Sequence, residues 1–494
     1  MLSPLNFEDK KLSFRRTKIV ATQGPATSTP EVLDAMIAAG VDVFRLNFSH
    51  GSHESHAESM RAIKEAIARS GRHVAVMGDL CGPKIRVGHF EKGSIELVEG
   101  SRVTITVRKV MGHDGLIPSE YEELAKDVKP GDRILMADGT RELRVVSVDD
   151  TEVLCDIVRG GVISDRKGIN LPNVAISTPS FTAKDKDDAA FACELGVDYL
   201  AMSFVRSAKD VLELKAFLAE RGADIPVMSK IEKPEAVHNI ESIMEASDAI
   251  MVARGDLGVE MPAEEIPLIQ KELTRMAIRA NKPVVIATQM LESMIGAGTP
   301  TRAEVTDVAW AAMEGADAVM LSGETSVGKY PVEAVKTMDR IVRMIEGYQY
   351  HTDRFFSLVS HEHPADFEVS MDSQILEGLS RSATKMAREL NAKAVAVCAK
   401  TGTTARMISA ERPLSPIIAM GCNERICARM GLYWGVLPCL VDEQVIKSPW
   451  KFVPQILKDT GIYNDSTDLG RYVILVTLRD YAMALTPSLK ILVD

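Results

Sequence analysis

Short runs of consecutive apolar residues recur along the first two thirds of the chain, and amphipathic stretches lie between them. Stretches such as 29–39 and 262–280 carry apolar residues at helical spacing. Continuous apolar runs are typical of parallel strands that are buried on both faces. Eight runs separated in this way predict an α/β protein built on a (β/α)8 barrel. The runs are 17–23, 41–48, 73–80, 198–205, 226–232, 249–254, 283–289 and 317–322.

The segment between the third and fourth predicted strands, residues 83–179, has a different pattern. Apolar and polar residues alternate there, with Gly and Asp at the turns, which predicts an inserted small β-barrel domain. The segment leaves the barrel at the carboxyl end of a strand, where barrel enzymes have their active sites. We therefore expect the insertion to act as a lid over the barrel mouth. In the sequence it separates two barrel segments, 1–82 and 180–353.

The barrel pattern ends after residue 353, and a second alternation of strands and helices follows. A helical stretch at 375–390 precedes predicted strands at 393–400, 415–421, 435–441 and 471–478. Alternating strands and helices favour an α/β sheet, so we expect residues 354–494 to form a separate C-terminal α/β domain.

Composition restricts the class of protein. The formal net charge of −11 over 494 residues argues against nucleic acid as a general partner. No apolar run approaches the ~20 residues of a membrane-spanning helix, and the N-terminus lacks the apolar region of a secretory signal. The seven cysteines include no C-x-x-C pair, which fits a reducing compartment. We expect a cytoplasmic protein with no membrane partner.

Polar residues gather at the carboxyl ends of the predicted barrel strands. Lys230 and Glu232 close one strand, and Asp256 follows the next. Because barrel strands share one mouth at their carboxyl ends, we expect these side chains to converge. Carboxylates are suitable ligands for Mg²⁺, and a lysine ammonium can neutralise a migrating phosphoryl group. An ordinary surface ion pair is the plainer explanation, but it does not account for all three residues at strand ends.

Six segments of the barrel resemble signature segments of the pyruvate kinase family. That resemblance implies phosphoryl transfer between phosphoenolpyruvate and ADP, giving pyruvate and ATP, in a homotetramer with a sugar-phosphate or nucleotide effector. It also implies that Mg²⁺, or Mn²⁺ in its place, is bound by Glu232 and Asp256. The segments are FRLNFSHG (44–51), SKIEKPEAVHNI (229–240), VARGDLGVE (252–260), ATQMLESM (287–294), PTRAEVTDVA (300–309) and LSGETSVGKYP (321–331).

The resemblance also implies roles for individual residues. Lys230 would stabilise the phosphoryl group in flight, and Arg45 would contact the phosphate. Thr288, with the backbone amides around Gly255 and Asp256, would hold the substrate carboxylate. The RGDLG turn precedes a helical stretch, so its amides could bind an anion. Nucleotide contacts are assigned to the following residues: Asn47, His50, Arg86 and Lys329.

A second polar cluster corresponds to the monovalent-cation site of the family. Its members are Asn47, Ser49, Asp79 and the backbone carbonyl of Leu80; by themselves they could equally be turn and cap formers. The chain has Lys84 nearby, where many family members carry Glu. Because an ammonium supplies the same single positive charge as K⁺, we predict activity that does not require K⁺.

Three further motifs imitate known sites. The run from His50 to His56 contains three histidines, but a solvated loop leading into a helix explains it better than a zinc site. The segment 323–330 nearly matches a P-loop, yet its last position is Tyr330 instead of Ser or Thr. Residues 399–406 join a strand to a helix and could bind a phosphate or simply cap the helix. The family places its effector there, on Lys400, Thr401, Gly402, Thr403 and Thr404.

Two other functions are compatible with part of this pattern. A metal-dependent enolate lyase or aldolase on the same barrel would use Glu232 and Asp256, but it leaves Lys230 without a role. A non-enzymatic relative that binds an effector would not need the complete set of polar residues at the barrel mouth. Phosphoryl transfer is the function that explains the lysine, the carboxylates and the insertion together.

Overall fold

The computed structural model describes residues 14–351, 371–460, 472–477 and 487–493. The first barrel segment has the predicted strand–helix alternation, and its strands are buried because helices cover one face and the barrel interior covers the other. Residues 354–370, 461–471, 478–486 and 494 of the predicted C-terminal domain lie outside the described residues. The elements are β1 (Lys18–Thr22), α1 (Pro30–Ala39), β2 (Val43–Asn47), α2 (His53–Ser70) and β3 (Ala75–Asp79), with a 3-10 turn at Pro25–Thr27.

The insertion follows β3 and is rich in strands, as predicted. Its strands form a six-stranded sheet in the order β11-β7-β8-β9-β5-β6 and a two-stranded sheet, and they enclose one hydrophobic core. The elements are β4 (Ser94–Leu97), β5 (Arg102–Thr106), β6 (Leu116–Pro118), α3 (Leu124–Asp127), β7 (Arg133–Met136), β8 (Arg141–Val148), β9 (Glu152–Arg159), β10 (Gly161–Ser164) and β11 (Ile169–Asn170). The domain boundaries at 83 and 179 stay a prediction.

The second barrel segment completes a closed ring of eight parallel strands in the order β1-β16-β15-β14-β13-β12-β3-β2. This confirms the predicted (β/α)8 barrel. The remaining elements are α4 (Ala183–Leu195), β12 (Tyr199–Met202), α5 (Ala208–Glu220), β13 (Val227–Ile231), α6 (Pro234–His238), α7 (Ile240–Ala246), β14 (Ala249–Ala253), α8 (Arg254–Glu260), α9 (Ile266–Arg279), β15 (Val284–Ala287), α10 (Arg302–Met313), β16 (Ala318–Leu321), α11 (Gly323–Ser326) and α12 (Pro331–His351), with a 3-10 turn at Glu292–Ile295.

The C-terminal domain is an α/β sheet, as predicted, in the order β19-β18-β17-β20-β21. Only β21 runs antiparallel to its neighbour. Its elements are α13 (Met371–Glu389), β17 (Ala394–Cys398), α14 (Thr403–Ala410), β18 (Ile417–Gly421), α15 (Glu424–Met430), β19 (Val436–Leu440), α16 (Glu443–Lys447), α17 (Val453–Asp459), β20 (Tyr472–Thr477) and β21 (Ser488–Val493), with a 3-10 turn at Pro449–Lys451. Among the residues that the structure describes, no helix is long and apolar enough to cross a membrane.

The C-terminal domain closes the amino-terminal end of the barrel. Leu432 packs into the apolar cluster formed by the inward-facing residues of the barrel strands. Around it, Arg412 donates to Asp317 Oδ2 over 2.8 Å, and Lys18 donates to the carbonyl oxygen of Val436 over 2.7 Å. These contacts leave the opposite end of the barrel, where the strands end, as the open mouth.

Candidate active site

A cavity lies at the carboxyl ends of the barrel strands, where the sequence predicted convergence. Strands, the loops that follow them and the outgoing segment of the insertion all contribute to its wall. It contains all three residues of the predicted phosphoryl-transfer cluster. The lining residues are Arg45, Asn47, Ser49, His50, Cys81, Lys84, Arg86, Ser203, Phe204, Lys230, Glu232, Met251, Ala253, Asp256, Thr288, Met320 and Ser322.

Lys230 projects from β13 and is held by three polar groups. Its Nζ atom donates to Ser203 Oγ over 2.7 Å and lies 2.9 Å from Glu232 Oε1 and 3.3 Å from Asp79 Oδ1. Burial alone would lower the pKa of Lys230, but its attraction to Asp79 and Glu232 outweighs burial and raises the pKa. The ammonium is therefore charged and fixed in position at neutral pH.

Arg45 and Asp79 come from adjacent strands and fix each other. The Arg45 Nε atom donates to Asp79 Oδ2 over 2.6 Å, and its Nη1 atom donates to Thr22 Oγ1 over 3.1 Å. Burial would raise the pKa of Asp79, but the charges of Lys230 and Arg45 lower it. One buried carboxylate thus orients two cations that face the same cavity, which suits the binding of a phosphate.

Glu232 and Asp256 are the two carboxylates at the cavity floor. Glu232 Oε2 accepts a hydrogen bond from the Phe204 amide over 2.8 Å, and Asp256 lies in the first turn of α8. Burial raises the pKa of Glu232, Lys230 opposes that shift, and the charge of Asp256 reinforces it. The repulsion between the two carboxylates would be relieved by a divalent cation between them. Two protein carboxylates with substrate oxygens are a usual ligand set for Mg²⁺.

The helix α8 presents its first turn to Thr288. The Gly255 amide donates to Thr288 Oγ1 over 2.6 Å, so amide and hydroxyl lie together where the substrate carboxylate was expected. Thr288 has a positive φ of 70°, which is uncommon for a β-branched residue. Arg254 fixes this strained loop, because its Nη2 atom donates to the Thr288 carbonyl over 2.7 Å and its Nη1 atom to Asp307 over 2.6 Å.

Of the predicted monovalent-cation residues, Asn47 and Ser49 line the cavity together with Arg45, whereas Asp79 and Leu80 are buried and are not among its lining residues. Asn47 Oδ1 accepts from the Ser49 amide over 3.2 Å, and the Leu80 carbonyl accepts from Ser203 Oγ over 2.7 Å. The Lys84 Nζ atom reaches into the same cavity and lies 3.6 Å from Asp256 Oδ1. Lys84 is therefore positioned beside a predicted metal ligand in this structure.

The predicted nucleotide contacts do not all reach the cavity. His50 and Arg86 line it, and Arg86 donates to the Arg166 carbonyl over 3.1 Å. Burial lowers the pKa of His50, and the nearby cations, Arg86 first, lower it further. Lys329 is exposed and is not among the lining residues of this cavity. Whether Lys329 contacts nucleotide stays a prediction.

The histidines between 50 and 56 point to different partners. His53 Nε2 lies 2.8 Å from Asp188 Oδ1, and its ring stacks on Phe191 at 4.1 Å. His56 Nε2 lies 2.8 Å from the carbonyl oxygen of His50. The side chains of His53 and His56 thus have different partners and His50 lines the cavity, so the run does not converge on one ligand.

The segment that resembles a P-loop forms the one-turn helix α11 and supports the barrel mouth. Glu324 is completely buried, and its carboxylate accepts from the Leu291 amide over 3.0 Å and the Ser322 amide over 2.7 Å. Thr325 Oγ1 donates to the Thr22 carbonyl over 2.9 Å. These side chains link the loops after β15, β16 and β1, which gives the segment a structural explanation.

The predicted effector loop precedes α14 in the C-terminal domain. Gly402 has a φ of 85°, and Thr401 Oγ1 lies 3.1 Å from Thr403 Oγ1. Thr404 is buried, whereas Lys400 and Thr401 are exposed. A Cβ at Gly402 would come within 3.3 Å of Met430, so the glycine is needed both for its backbone and for space. The binding of an effector at this loop stays a prediction.

Two residues that shape the site were not predicted from the sequence. Ser203 and Phe204 follow β12, at the same level as the other strand-end residues. Ser203 links Lys230 to the Leu80 carbonyl, and Phe204, at a positive φ of 53°, presents its amide to Glu232. Their position after an apolar run was the available signal, but serine and phenylalanine are too common there to attract notice.

The barrel mouth holds four cationic side chains, those of Arg45, Lys84, Arg86 and Lys230, beside two carboxylates, which is typical of a barrel phosphotransferase that acts on an anionic substrate. Family models described as pyruvate kinase, barrel domain and pyruvate kinase, alpha/beta domain match residues 14–335 and 377–476. Pyruvate kinase of Corynebacterium efficiens is 45% identical over 421 residues, covering 85% of this chain and 86% of the relative. Pyruvate kinase of Thermococcus litoralis is 40% identical over 457 residues, covering 92% and 94% respectively.

Pyruvate kinase 2 of Synechocystis is 44% identical over 431 residues, covering 86% of this chain and 71% of the relative. The chain belongs to the pyruvate kinase family. It is therefore an enzyme of the phosphotransferase class, and neither the enolate lyase nor the non-enzymatic alternative is supported.

Proposed function

We propose that this chain transfers the phosphoryl group of phosphoenolpyruvate to ADP in the cavity at the barrel mouth, giving pyruvate and ATP. The observation that carries the proposal is the buried Lys230 ammonium, held by Ser203, Glu232 and Asp79 and directed into that cavity. Phosphoryl transfer depends on positioning and charge neutralisation, and a fixed, charged lysine supplies both.

The other residues of the cavity bind different groups of the substrate. Arg45 and Lys230 bind the phosphoryl oxygens from two sides, and Thr288 with the amides of Gly255 and Asp256 binds the carboxylate. Glu232 and Asp256 would hold Mg²⁺ or Mn²⁺, which would supply positive charge to the substrate oxygens. Support comes from the cavity geometry and from the electrostatic need of two adjacent carboxylates for a cation.

The nucleotide is proposed to lie along the side of the cavity formed by the outgoing segment of the insertion. Asn47, His50 and Arg86 face that side, and Lys329 would contact the nucleotide from the loop after α11. The Arg86 guanidinium offers donors in a fork that matches phosphate oxygens. Closure of the inserted domain over this side would exclude water from the reacting groups.

Substitution of Lys230 by Met is the direct test. Pyruvate formation from phosphoenolpyruvate and ADP with Mg²⁺ should fall by several orders of magnitude in Lys230→Met, because the uncharged side chain cannot stabilise the phosphoryl group. Lys215→Met is the matched control, since Lys215 of α5 pairs at 2.9 Å with Asp248, in the loop that precedes β14, and does not line the cavity. Turnover of Lys230→Met at the rate of the parent would show that the lysine has no role in the mechanism.

Independence from K⁺ is the second part of the proposal. Lys84 brings an ammonium to the cavity that also contains Asn47 and Ser49, and it would replace the monovalent cation there. Rates in K⁺ and in tetramethylammonium salts should therefore be similar. Lys84→Glu should convert the enzyme to one that K⁺ activates. A large loss of the parent's activity without K⁺ would contradict this part.

Regulation and assembly complete the proposal. A sugar-phosphate or nucleotide effector is proposed to bind Lys400, Thr401, Gly402, Thr403 and Thr404, and the protein to be a homotetramer. Thr403→Ala/Thr404→Ala should lose activation by whichever of these compounds activates the parent, and retained activation would refute the assignment. Sedimentation equilibrium measures the assembly, and a monomer would refute the tetramer.

A further inference from the structure

A buried ion pair lies behind the two carboxylates proposed to hold the metal. The Lys233 Nζ atom is 2.7 Å from Glu260 Oε1, and both side chains are almost completely buried. Lys233 directly follows Glu232 in the chain, and Glu260 ends the helix whose first turn contains Asp256. The pair therefore joins the two segments that carry the proposed metal ligands.

The inserted domain contributes one donor to this pair. Asn170, the last residue of β11, donates from Nδ2 to Glu260 Oε1 over 3.0 Å. Glu260 Oε1 thus accepts from both domains, whereas its buried Oε2 atom has no hydrogen-bond partner among the described residues. A buried carboxylate with one unsatisfied oxygen depends strongly on the donors that it does have.

The turn between β7 and β8 of the inserted domain also lies near this helix, but it offers no side chain to it. A side chain built on Gly139, in the turn between β7 and β8, would meet the Val259 side chain at 3.5 Å. The contact of Lys84 with Asp256 is longer, at 3.6 Å, and is partly open to solvent. Among these contacts, only that of Asn170 combines a direct hydrogen bond with complete burial of its acceptor side chain.

We propose that Asn170, Glu260 and Lys233 form a latch through which closure of the inserted domain positions helix α8. When Asn170 meets Glu260, the helix is fixed against the segment that carries Glu232, so Asp256 is held in place for the metal. All three are positioning residues, because they act through Glu232 and Asp256. The inference rests on the proposed function, which assigns the metal to those two carboxylates.

Asn170→Asp tests the latch by placing a carboxylate against Glu260. The KM for phosphoenolpyruvate and the Kd for Mn²⁺, measured from the electron paramagnetic resonance of free Mn²⁺, should each rise about tenfold, equivalent to ~1.4 kcal/mol. The change in kcat should be smaller, and Asn170→Ala should have a weaker effect. Val162→Asp is the control, because it adds the same charge to the inserted domain at a position that is 53% exposed.

A second measurement separates positioning from general damage. Hydrogen exchange of the amides of α8 should be faster in Asn170→Asp, while exchange in the C-terminal domain should not change. In a Glu260→Gln background the effect of Asn170→Asp on Mn²⁺ affinity should shrink, because the repelling charge is gone.

The outcomes distinguish the two proposals. A parent protein that forms no pyruvate would overturn the proposed function and the latch with it. An active parent whose Mn²⁺ affinity and α8 exchange do not respond to Asn170→Asp would overturn the latch alone. An equal effect of Asn170→Asp in both backgrounds would also overturn it, because Glu260 would then not be the acceptor.

Discussion

The hydroxyl of Ser203 offers a sharp test of how the site holds its lysine. Ser203 accepts from Lys230 Nζ over 2.7 Å and donates to the Leu80 carbonyl over 2.7 Å. Ser203→Ala removes both hydrogen bonds and leaves Glu232 and Asp79 as the remaining partners of the ammonium. We expect the lysine to shift toward these carboxylates and away from the phosphoryl group.

The expected size of the effect of Ser203→Ala follows from the positive charge of the Lys230 donor. A hydrogen bond to a charged group contributes about 1.5–3 kcal/mol. When all of this hydrogen-bond free energy is lost from the transition state, kcat/KM falls roughly 10- to 150-fold. The Leu80 carbonyl also loses its side-chain donor, so the free energy of unfolding should fall by about 1–3 kcal/mol.

Steady-state pyruvate formation and urea unfolding measure these two effects separately. Ser229→Ala is the matched control, because Ser229 is completely buried on β13, the strand of Lys230, and its Oγ atom lies 2.6 Å from Ser247 Oγ. It should lose stability to a similar extent and keep the kcat/KM of the parent. Parent-like kcat/KM in Ser203→Ala, or an equal fall in Ser229→Ala, would refute the reasoning.

The remaining predictions concern the contacts between the barrel and the C-terminal domain. Burial lowers the pKa of Lys18 from 10.5 to about 8. Between those two pH values the unfolded chain therefore binds more protons than the folded chain, and the free energy of unfolding from urea titrations should rise with pH. Lys18→Met should flatten this rise. Arg412→Ala leaves Asp317 buried without its ion-pair partner and should cost about 3–5 kcal/mol by the same titration. Arg69→Ala is the control and should change the free energy of unfolding little, because the pair with Asp34 that it breaks is exposed. Leu432→Ala should open a cavity in the apolar cluster at the barrel end and cost about 2–5 kcal/mol in thermal or urea unfolding; full stability would show that the cluster collapses around the smaller side chain.

The pattern of apolar runs determined the positions of the barrel strands to within a few residues. The run at 226–232 became β13 (Val227–Ile231), and the run at 317–322 became β16 (Ala318–Leu321). This worked because a parallel strand covered on both faces must be apolar along its whole length. The polar residues that interrupt or follow such runs then stand out, which is why Lys230, Glu232 and Asp256 could be named as one cluster.

The arrangement of the insertion was predictable only in its class. Alternation of apolar and polar residues indicates strands with one buried face, so its β-rich character could be read from the chain. The order β11-β7-β8-β9-β5-β6 could not, because alternation does not say which strands pair. The contact of Asn170 with Glu260 depends on that order and on where the whole domain lies against the barrel.

Only the tertiary structure decided which partner each charged residue contacts. The sequence by itself determined a barrel with a lysine and two carboxylates at its mouth. It could not show that Asp79 orients both Arg45 and Lys230, or that Ser203 holds the lysine. Asp79 meets Lys230 because β3 pairs with β12, which in turn pairs with β13, and the inserted domain between β3 and β12 contributes no strand to the barrel. Strand order and register bring together residues more than 100 positions apart, and local sequence patterns carry no record of that pairing.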